Sequence, residues 1–396
     1  MMETEMKEFE SKKHPVVELK PPEEPRGEGS SKDERPLLKS DSSASYSPIA
    51  PEDLQELEKK FAAFVRRDVY GTMGRGELAM SEKLLLGFAL VTLVPIRVVV
   101  GIVIAILYYV ICRFCTIFSV PCREDGQEDY AHISGWRRVV IVRLGRFLSR
   151  AMLFTLGFYW INESFPNSDA VENQSNEQSG EPKQPGAIIS NHISYLDILY
   201  HMSSSFPSFV AKRSVSKLPL IGLISKCLGC VYVQRESKSS DFKGVSGIVT
   251  ERVKEAHQNK FAPMIMLFPE GTTTNGDFLL PFRTGAFLSK SPVLPVILRY
   301  PYRRFSPAWD SITGVRHMIL LLCQFVNHIE VTKLPVYYPS EQEKEDPKLY
   351  ANNVRKLMAS EGNLILSDIG LAEKRIYHAA LNGNNSLASV LHQKED

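Results

Sequence analysis

From Leu84 to Cys112 the chain is apolar almost without interruption, broken only by Pro95 and Arg97. No other stretch restricts the fold so strongly. Taken whole it runs for about 29 residues, ample to cross a ~30 Å hydrocarbon core with tilt. Cut at Pro95–Arg97 it leaves two pieces, each too short to cross alone. It reads as one kinked span or as a re-entrant hairpin, and the rest of the chain has to be arranged around a membrane.

A second apolar segment, Val139 to Ile161, differs in kind. Arg143, Arg146 and Arg150 fall at i, i+3 and i+7, one basic stripe on a helix whose other face is Val, Leu, Phe and Met. A helix lying in the interface has this form, with arginines at phosphate level. Beyond Arg150 the run AMLFTLGFYWI is uncharged, with Tyr159 and Trp160 suited to an interface. An interfacial helix and a second span both fit.

Charge is balanced: 47 basic against 45 acidic residues, net +2. Nothing attracts nucleic acid globally, and a charged partner has to be met by local clusters. The six cysteines are Cys112, Cys115, Cys122, Cys227, Cys230 and Cys323. They form no disulfide-rich pattern and no secretory signal precedes them, so a reducing compartment is expected. The pairs CRFC and CLGC suggest a four-cysteine zinc site. The first pair ends an apolar segment, however, where Cys behaves as a small buried hydrophobe, so no metal is expected. S-acylation of Cys112, Cys115 or Cys122 beside a membrane is an alternative use.

Residues 1–48 are rich in Glu, Lys, Ser and Pro and poor in aromatics, a composition that stays disordered. They contain DERPLL (Asp33 to Leu38), an acidic di-leucine sorting pattern. Residues 49–161 hold an amphipathic helix, with Leu54, Leu57, Phe61, Phe64 and Val65 at helical spacing, and the membrane-associated helices. Residues 162–184 form a polar linker carrying N-x-S sequons at Asn162 and Asn173.

Short β runs then alternate with helical patterns over 185–340, an α/β domain. The strand candidates are 187–190, 208–212, 230–234, 264–268, 293–298 and 328–336. Helices are expected over Ser239 to Gln258 and Trp309 to Phe325. Residues 341–396 hold one further helix, DPKLYANNVRKLMASEG, and a polar tail.

Directly after the apolar run GAII stands NHISYLD, Asn191 to Asp197. On one regular helix His192 and Asp197 would sit about 140° apart. If a strand ends near Ile189 and a helix begins at Leu196, the histidine lies in the turn and the carboxylate folds back to it. Such a carboxylate fixes the tautomer and raises the basicity of the other ring nitrogen, making a general base. No G-x-S-x-G elbow exists, and Cys227 and Cys230 have no histidine beside them in sequence. The base then serves a substrate hydroxyl.

In LFPEGTTTNG an apolar run ends in Pro-Glu-Gly and three threonines. Gly271 permits tight backbone, and backbone N–H groups with threonine hydroxyls can receive an anion. Glu270 can pair with a basic group or a substrate hydroxyl. Arg283, in LPFRTGAF, fits a phosphate or carboxylate clamp. Arg235, in GCVYVQRES, follows a strand pattern where ligands gather in α/β sheets. Each of these also fits an ordinary solvated loop.

In order, the blocks Asn191–Asp197, Gly229–Arg235, Phe268–Thr272 and Val293–Val296 resemble the four-block signature of the glycerolipid acyltransferases (the NH-x4-D acyltransferases). The flanks FPEGTTTNG, PFRTGAF and the C-terminal LYANNVRKLMASEG resemble the plant lysophospholipid acyltransferases, in particular those of the endoplasmic reticulum that act on lysophosphatidylethanolamine. No EF-hand loop of the kind found in animal relatives occurs.

The resemblance implies membrane-anchoring N-terminal helices followed by an α/β acyltransferase domain facing the cytosol. It implies acyl transfer from acyl-CoA, as co-substrate, to the sn-2 hydroxyl of a lysophospholipid, without a cofactor. His192 would be the base and Asp197 its orienting partner. Arg235, Glu270, Gly271 and Thr272 would bind the glycerophosphate, with Arg283 as helper. The same blocks serve lysophosphatidic acid and glycerol-3-phosphate acyltransferases, and a membrane lipid-binding protein with a dead site is an alternative of another class.

Overall fold

Alternation of β-branched runs with helical patterns builds one seven-stranded sheet. Its order is Ile161–Ser164, Ile329–Lys333, Val293–Arg299, Ala187–Ser190, Ile265–Leu267, Ser208–Lys212, Val231–Val233. The last five run parallel. Ile329–Lys333 is antiparallel to Val293–Arg299 and carries Ile161–Ser164 as its parallel edge. The computed structural model describes residues 51–124, 127–166, 184–233 and 240–382, and these belong to one compact unit, Pro48–Asp396. The N-terminal tail with its di-leucine pattern, Asn173 with most of the linker, Arg235 and the polar C-terminus lie outside the described residues.

The central strand Ala187–Ser190 is buried throughout. Ile188 joins one core with Leu148, Leu196 and Tyr200. Ala187 and Ile189 join the opposite core with Val253, Val354 and Met358. Successive side chains of a strand point to opposite faces, so a strand covered on both needs a continuous apolar run.

Several expectations change. Trp309 to Phe325 is helical only over Gly314–Leu322. Ahead of it Asp310 accepts the N–H groups of Ser311 and Ile312 and pairs with the buried Arg66, which holds a turn instead. Residues 162–164, expected in the linker, are strand. The expected polar tail includes a helix, Leu371–Leu381. Its Tyr377, Ala380 and Leu381 pack on Leu57, Phe61 and Phe64, so the N-terminal amphipathic segment docks against the far end of the chain.

The second apolar segment is helical only in its first part. Its helix is Trp136–Thr155, after which the chain turns and enters the edge strand at Ile161. A Cβ on Gly145 would lie 2.4 Å from Phe206 and 2.7 Å from the Tyr108 hydroxyl, so glycine is what lets this helix approach its neighbour. The arginine stripe is divided. Arg143 and Arg146 are exposed, whereas Arg150 turns to donate to the Phe158 and Tyr159 carbonyls at 2.9 and 2.6 Å. Phosphate-level placement of all three does not hold.

The first apolar segment is a single helix, Met80–Thr116, of 37 residues with Pro95 inside it. At 1.5 Å per residue it is about 55 Å long. Among the described residues it is the one helix long and apolar enough to cross a membrane. A stripe of Ala89, Arg97, Tyr108, Cys112 and Cys115 is buried on the body. The opposite face exposes Phe88, Val91, Ile96, Val99, Val103 and Val110.

Arg97 donates to the carbonyls of Leu322, Gln324 and Phe325 at 3.0, 2.5 and 3.3 Å. These close the C-terminal end of Gly314–Leu322, where helical carbonyls lack partners and a cation is favoured. Cys112 and Cys227 are buried in the same core. Burial of Cys112 and Cys115 takes both away from S-acylation. Among the described residues no group of three or more His, Cys, Asp or Glu is placed to hold a metal.

Arg97→Leu leaves three carbonyls unpaired, at a cost of about 3 kcal/mol. The variant should still pellet with membranes but unfold at a lower temperature and be cut faster by protease. An unchanged melting temperature would show that this docking contributes nothing.

Candidate active site

The parallel strands present their C-terminal ends along one edge, where ligands collect in α/β sheets. At that edge the Asn191 side chain takes over from the backbone. Its Oδ1 accepts from the Leu298 N–H at 2.8 Å and its Nδ2 donates to the Leu298 carbonyl at 3.0 Å. This pins the point where the chain leaves the sheet. His192 follows in the turn, and Asp197 lies in the first turn of the helix Leu196–Ser204.

The fold-back occurs: His192 Nδ1 lies 2.8 Å from Asp197 Oδ2. The same oxygen accepts the N–H groups of Ile193 and Ser194 at 2.8 and 3.0 Å. Oδ1 accepts the Tyr300 hydroxyl at 2.7 Å. Asp197 is fully buried. With a carboxylate acceptor on one side, Nδ1 is the donor and Nε2 keeps the free lone pair. Nε2 makes no hydrogen bond among the described residues, and the side chain stays 20% exposed. Its ring stacks on Phe268, centroids 4.0 Å apart and planes at 18°.

Gly271 adopts φ +72°, and a Cβ there would stand 2.9 Å from the Arg283 guanidinium carbon. Glycine therefore allows the guanidinium to lie over the turn. The Arg283 N–H is held by the Pro269 carbonyl at 3.0 Å, while its side chain is exposed. The exposed Arg283 guanidinium over Gly271, next to the half-buried Thr272, makes a basic turn suited to an anion.

Glu270 is placed differently from the sequence-based expectation. It is buried, with Oε1 accepting the His192 N–H at 2.7 Å and Oε2 the Leu280 N–H at 2.9 Å. Both oxygens are committed to the backbone, so its work is to fix the His192 turn. Burial pushes this carboxyl up to about 8, against the pull of its two N–H donors; with both oxygens accepting, the ionised form fits the geometry. The turn is further tied by the Thr274 N–H to the His192 carbonyl at 3.0 Å and the Trp309 N–H to the Ile193 carbonyl at 2.8 Å. Arg235 lies outside the described residues.

Sequence reasoning gave no role to Phe268 and did not single out Tyr300 or His201. Tyr300 carried one usable signal: it directly follows the apolar strand Val293–Arg299 at the same sheet edge. His201 is buried beside Phe268 and driven by burial to about 3. It stays neutral and does not compete for Asp197.

Glu270→Gln replaces one acceptor oxygen by an NH2 group facing an N–H donor. The expected cost is about 1–3 kcal/mol, read as a lower thermal midpoint with loss of turnover. A variant with wild-type midpoint and turnover would overturn the backbone-fixing role.

Residues 169–299 match the family model described as Acyltransferase. Lysophospholipid acyltransferase LPEAT1 of Arabidopsis thaliana is 60% identical over 417 residues, covering 100% of both chains. Lysophosphatidylcholine acyltransferase 2 of Homo sapiens is 30% identical over 280 residues, covering 70% of this chain and 47% of its own, so this chain spans about half that relative's length. The solved 1-acyl-sn-glycerophosphate (LPA) acyltransferase PlsC from Thermotoga maritima aligns over 69% of this chain and 100% of its own, at 17% identity and a TM-score of 0.38. Matched end to end by a plant relative at that identity, the chain belongs to the glycerolipid acyltransferase family, beside the plant lysophospholipid acyltransferases, and is an O-acyltransferase.

Proposed function

We propose that this O-acyltransferase moves an acyl group from acyl-CoA to the sn-2 hydroxyl of a lysophospholipid, lysophosphatidylethanolamine in particular. The observation that carries the reading is the His192–Asp197 pair at 2.8 Å, with Nε2 free of any hydrogen bond among the described residues. Nε2 removes the proton of the acceptor hydroxyl as its oxygen attacks the thioester carbonyl. The C–O bond forms, the C–S bond breaks, and CoA leaves as a thiolate that recovers the proton from the imidazolium. Asp197 stabilises the imidazolium while it lasts.

Among the described residues no serine or cysteine side chain hydrogen-bonds Nε2, which favours direct transfer over a covalent enzyme intermediate. Proton, nucleophile and leaving group are all supplied by these parts, so the reaction as written needs no metal or redox cofactor. Arg283, Gly271 and Thr272 take the phosphate of the acceptor, joined through the family resemblance by Arg235. The Arabidopsis relative's name supports a lysophospholipid as acceptor.

The test offers a panel of lysophospholipids with one labelled acyl-CoA and follows CoA release with a thiol probe. Lysophosphatidylethanolamine should be preferred; preference for lysophosphatidic acid or glycerol-3-phosphate would overturn the head-group assignment. His192→Ala should lose ~10²–10⁴-fold in rate, and activity above about a tenth of wild type would remove it as the base. Tyr300→Phe withdraws a donor from Asp197, which then holds the imidazolium more tightly. The acid limb of its pH–rate profile should move to higher pH; an unmoved limb would deny the coupling.

The long helix supports a membrane arrangement too. It meets the body at Ala89, Arg97, Tyr108, Cys112 and Cys115, and Arg97 ties its middle to Gly314–Leu322. Its apolar outer face is left for lipid, and its length and composition suit a membrane anchor. The α/β domain then faces the cytosol, where the charged acyl-CoA is dissolved, at the endoplasmic reticulum membrane. In sealed right-side-out microsomes protease should cut within 162–184, and Asn162 and Asn173 should be unglycosylated. Glycans or a protected segment would place the domain in the lumen.

A further inference from the structure

The helix Leu371–Leu381 lies beyond the 169–299 family match, yet one of its side chains reaches the site. Lys374 is 8% exposed. Its Nζ donates to the Thr273 carbonyl and the Thr273 hydroxyl, both at 2.7 Å, and to the Trp309 carbonyl at 3.2 Å. The Thr273 hydroxyl donates in turn to the same Trp309 carbonyl at 2.5 Å. Three donors meet three oxygens, the full capacity of an ammonium. The Phe64 ring stands 5.5 Å from Nζ as a cation–π partner.

Thr273 directly follows Gly271 and Thr272, and Trp309 donates its N–H to the carbonyl of Ile193, next to His192. Lys374 thus joins the Gly271–Thr274 loop to the back of the histidine turn. Around it lie Asp310, Glu270 and His378, with Arg66 paired to Asp310 and Asp68. Arg66 alone does not balance the two aspartates; Lys374 adds a second cation against Asp310, Asp68 and Glu270. Burial draws the ammonium down to about 8, and Asp310 and Glu270 act to raise it, so it is charged at neutral pH.

We propose that Lys374 is a positioning residue of the acyltransferase site, an internal cation that sets the Thr272–Thr274 loop and favours an anionic head group on its outer side. The proposal rests on the reading of that loop as the phosphate site. A buried charge acts through a medium of low dielectric, so its removal is felt across the loop. Loss of Lys374 leaves more negative charge beneath the loop and the Thr273 and Trp309 carbonyls short of a donor.

The test compares Lys374→Gln, which keeps donors but loses the charge, with Lys374→Arg, which keeps both. Kinetics are measured in microsomes with acyl-CoA and lysophosphatidylethanolamine varied in turn. Lys374→Gln should raise KM for the lysophospholipid ~10-fold and leave KM for acyl-CoA unchanged, while Lys374→Arg stays within ~3-fold of wild type. Equal behaviour of the two variants, or a fall in kcat with both KM values unchanged, overturns the proposal in favour of a plain structural strut. Thr273→Val, nearly isosteric, is the second probe should Lys374→Gln fail to accumulate: it should raise the same KM ~3-fold, and an unchanged value is equally fatal. Arg283→Ala separates the two readings. If it leaves the lysophospholipid KM untouched while Lys374→Gln raises it, the phosphate assignment fails and the positioning role stands. If Arg283→Ala raises that KM while the two Lys374 variants agree, the Lys374 proposal fails alone.

Discussion

The carboxylate of Asp197 is the joint on which the site turns. It has no exposure to water, and every lone pair it uses is met from a different direction: the imidazole, two backbone N–H groups of the preceding turn, and the hydroxyl of Tyr300 just past the end of the neighbouring strand. A buried charge survives only with such partners. Satisfying it forces three things at once. The turn 192–194 must wrap the carboxylate, the helix must begin at Leu196, and the strand Val293–Arg299 must end where Tyr300 can reach in. Histidine orientation is then a consequence of charge burial and is not set separately.

That explains why part of the site was legible and part was not. His192 and Asp197 are five residues apart, and an apolar run ending before them is enough to suggest a turn. Their partner Tyr300 is a hundred residues away, joined only by strand pairing, and Asn191 meets Leu298 over the same distance. Glu270 was legible as a residue but not as a role. Next to a glycine and three threonines it has the appearance of a surface ligand, and only tertiary burial turns its oxygens onto the amides of His192 and Leu280. Lys374 sits in a polar-looking tail, with no local sign that Thr273 needs it.

The fold divides along the same line. The central strands were readable because two-sided burial demands uninterrupted apolar runs. Ile161–Ser164 was hidden, since its first residue closes an apolar segment and the other three open a polar one; only pairing with Ile329–Lys333 makes it a strand. Arg97 has the same ambiguity in one residue. Within the sequence it interrupts a hydrophobic run. Within the structure it satisfies the carbonyls that end a second helix, and it converts an all-apolar helix into one with an inside and an outside.

These attachments share a physical purpose. In the proposed mechanism a base serving a free hydroxyl in a lipid would have to be placed to within fractions of an ångström, because misplacement of reacting atoms is costly in rate. The lipid itself offers no rigid frame. The chain supplies one by anchoring each loop from behind: Asn191 to Leu298, Thr274 to His192, Trp309 to Ile193, and Lys374 to both Thr273 and Trp309. Every anchor is polar and turned inward, so the outward surfaces remain free to be apolar. A long helix with one tethered face and one lipid-compatible face is then the natural partner of a site held from within, since neither requires the bilayer to order the other.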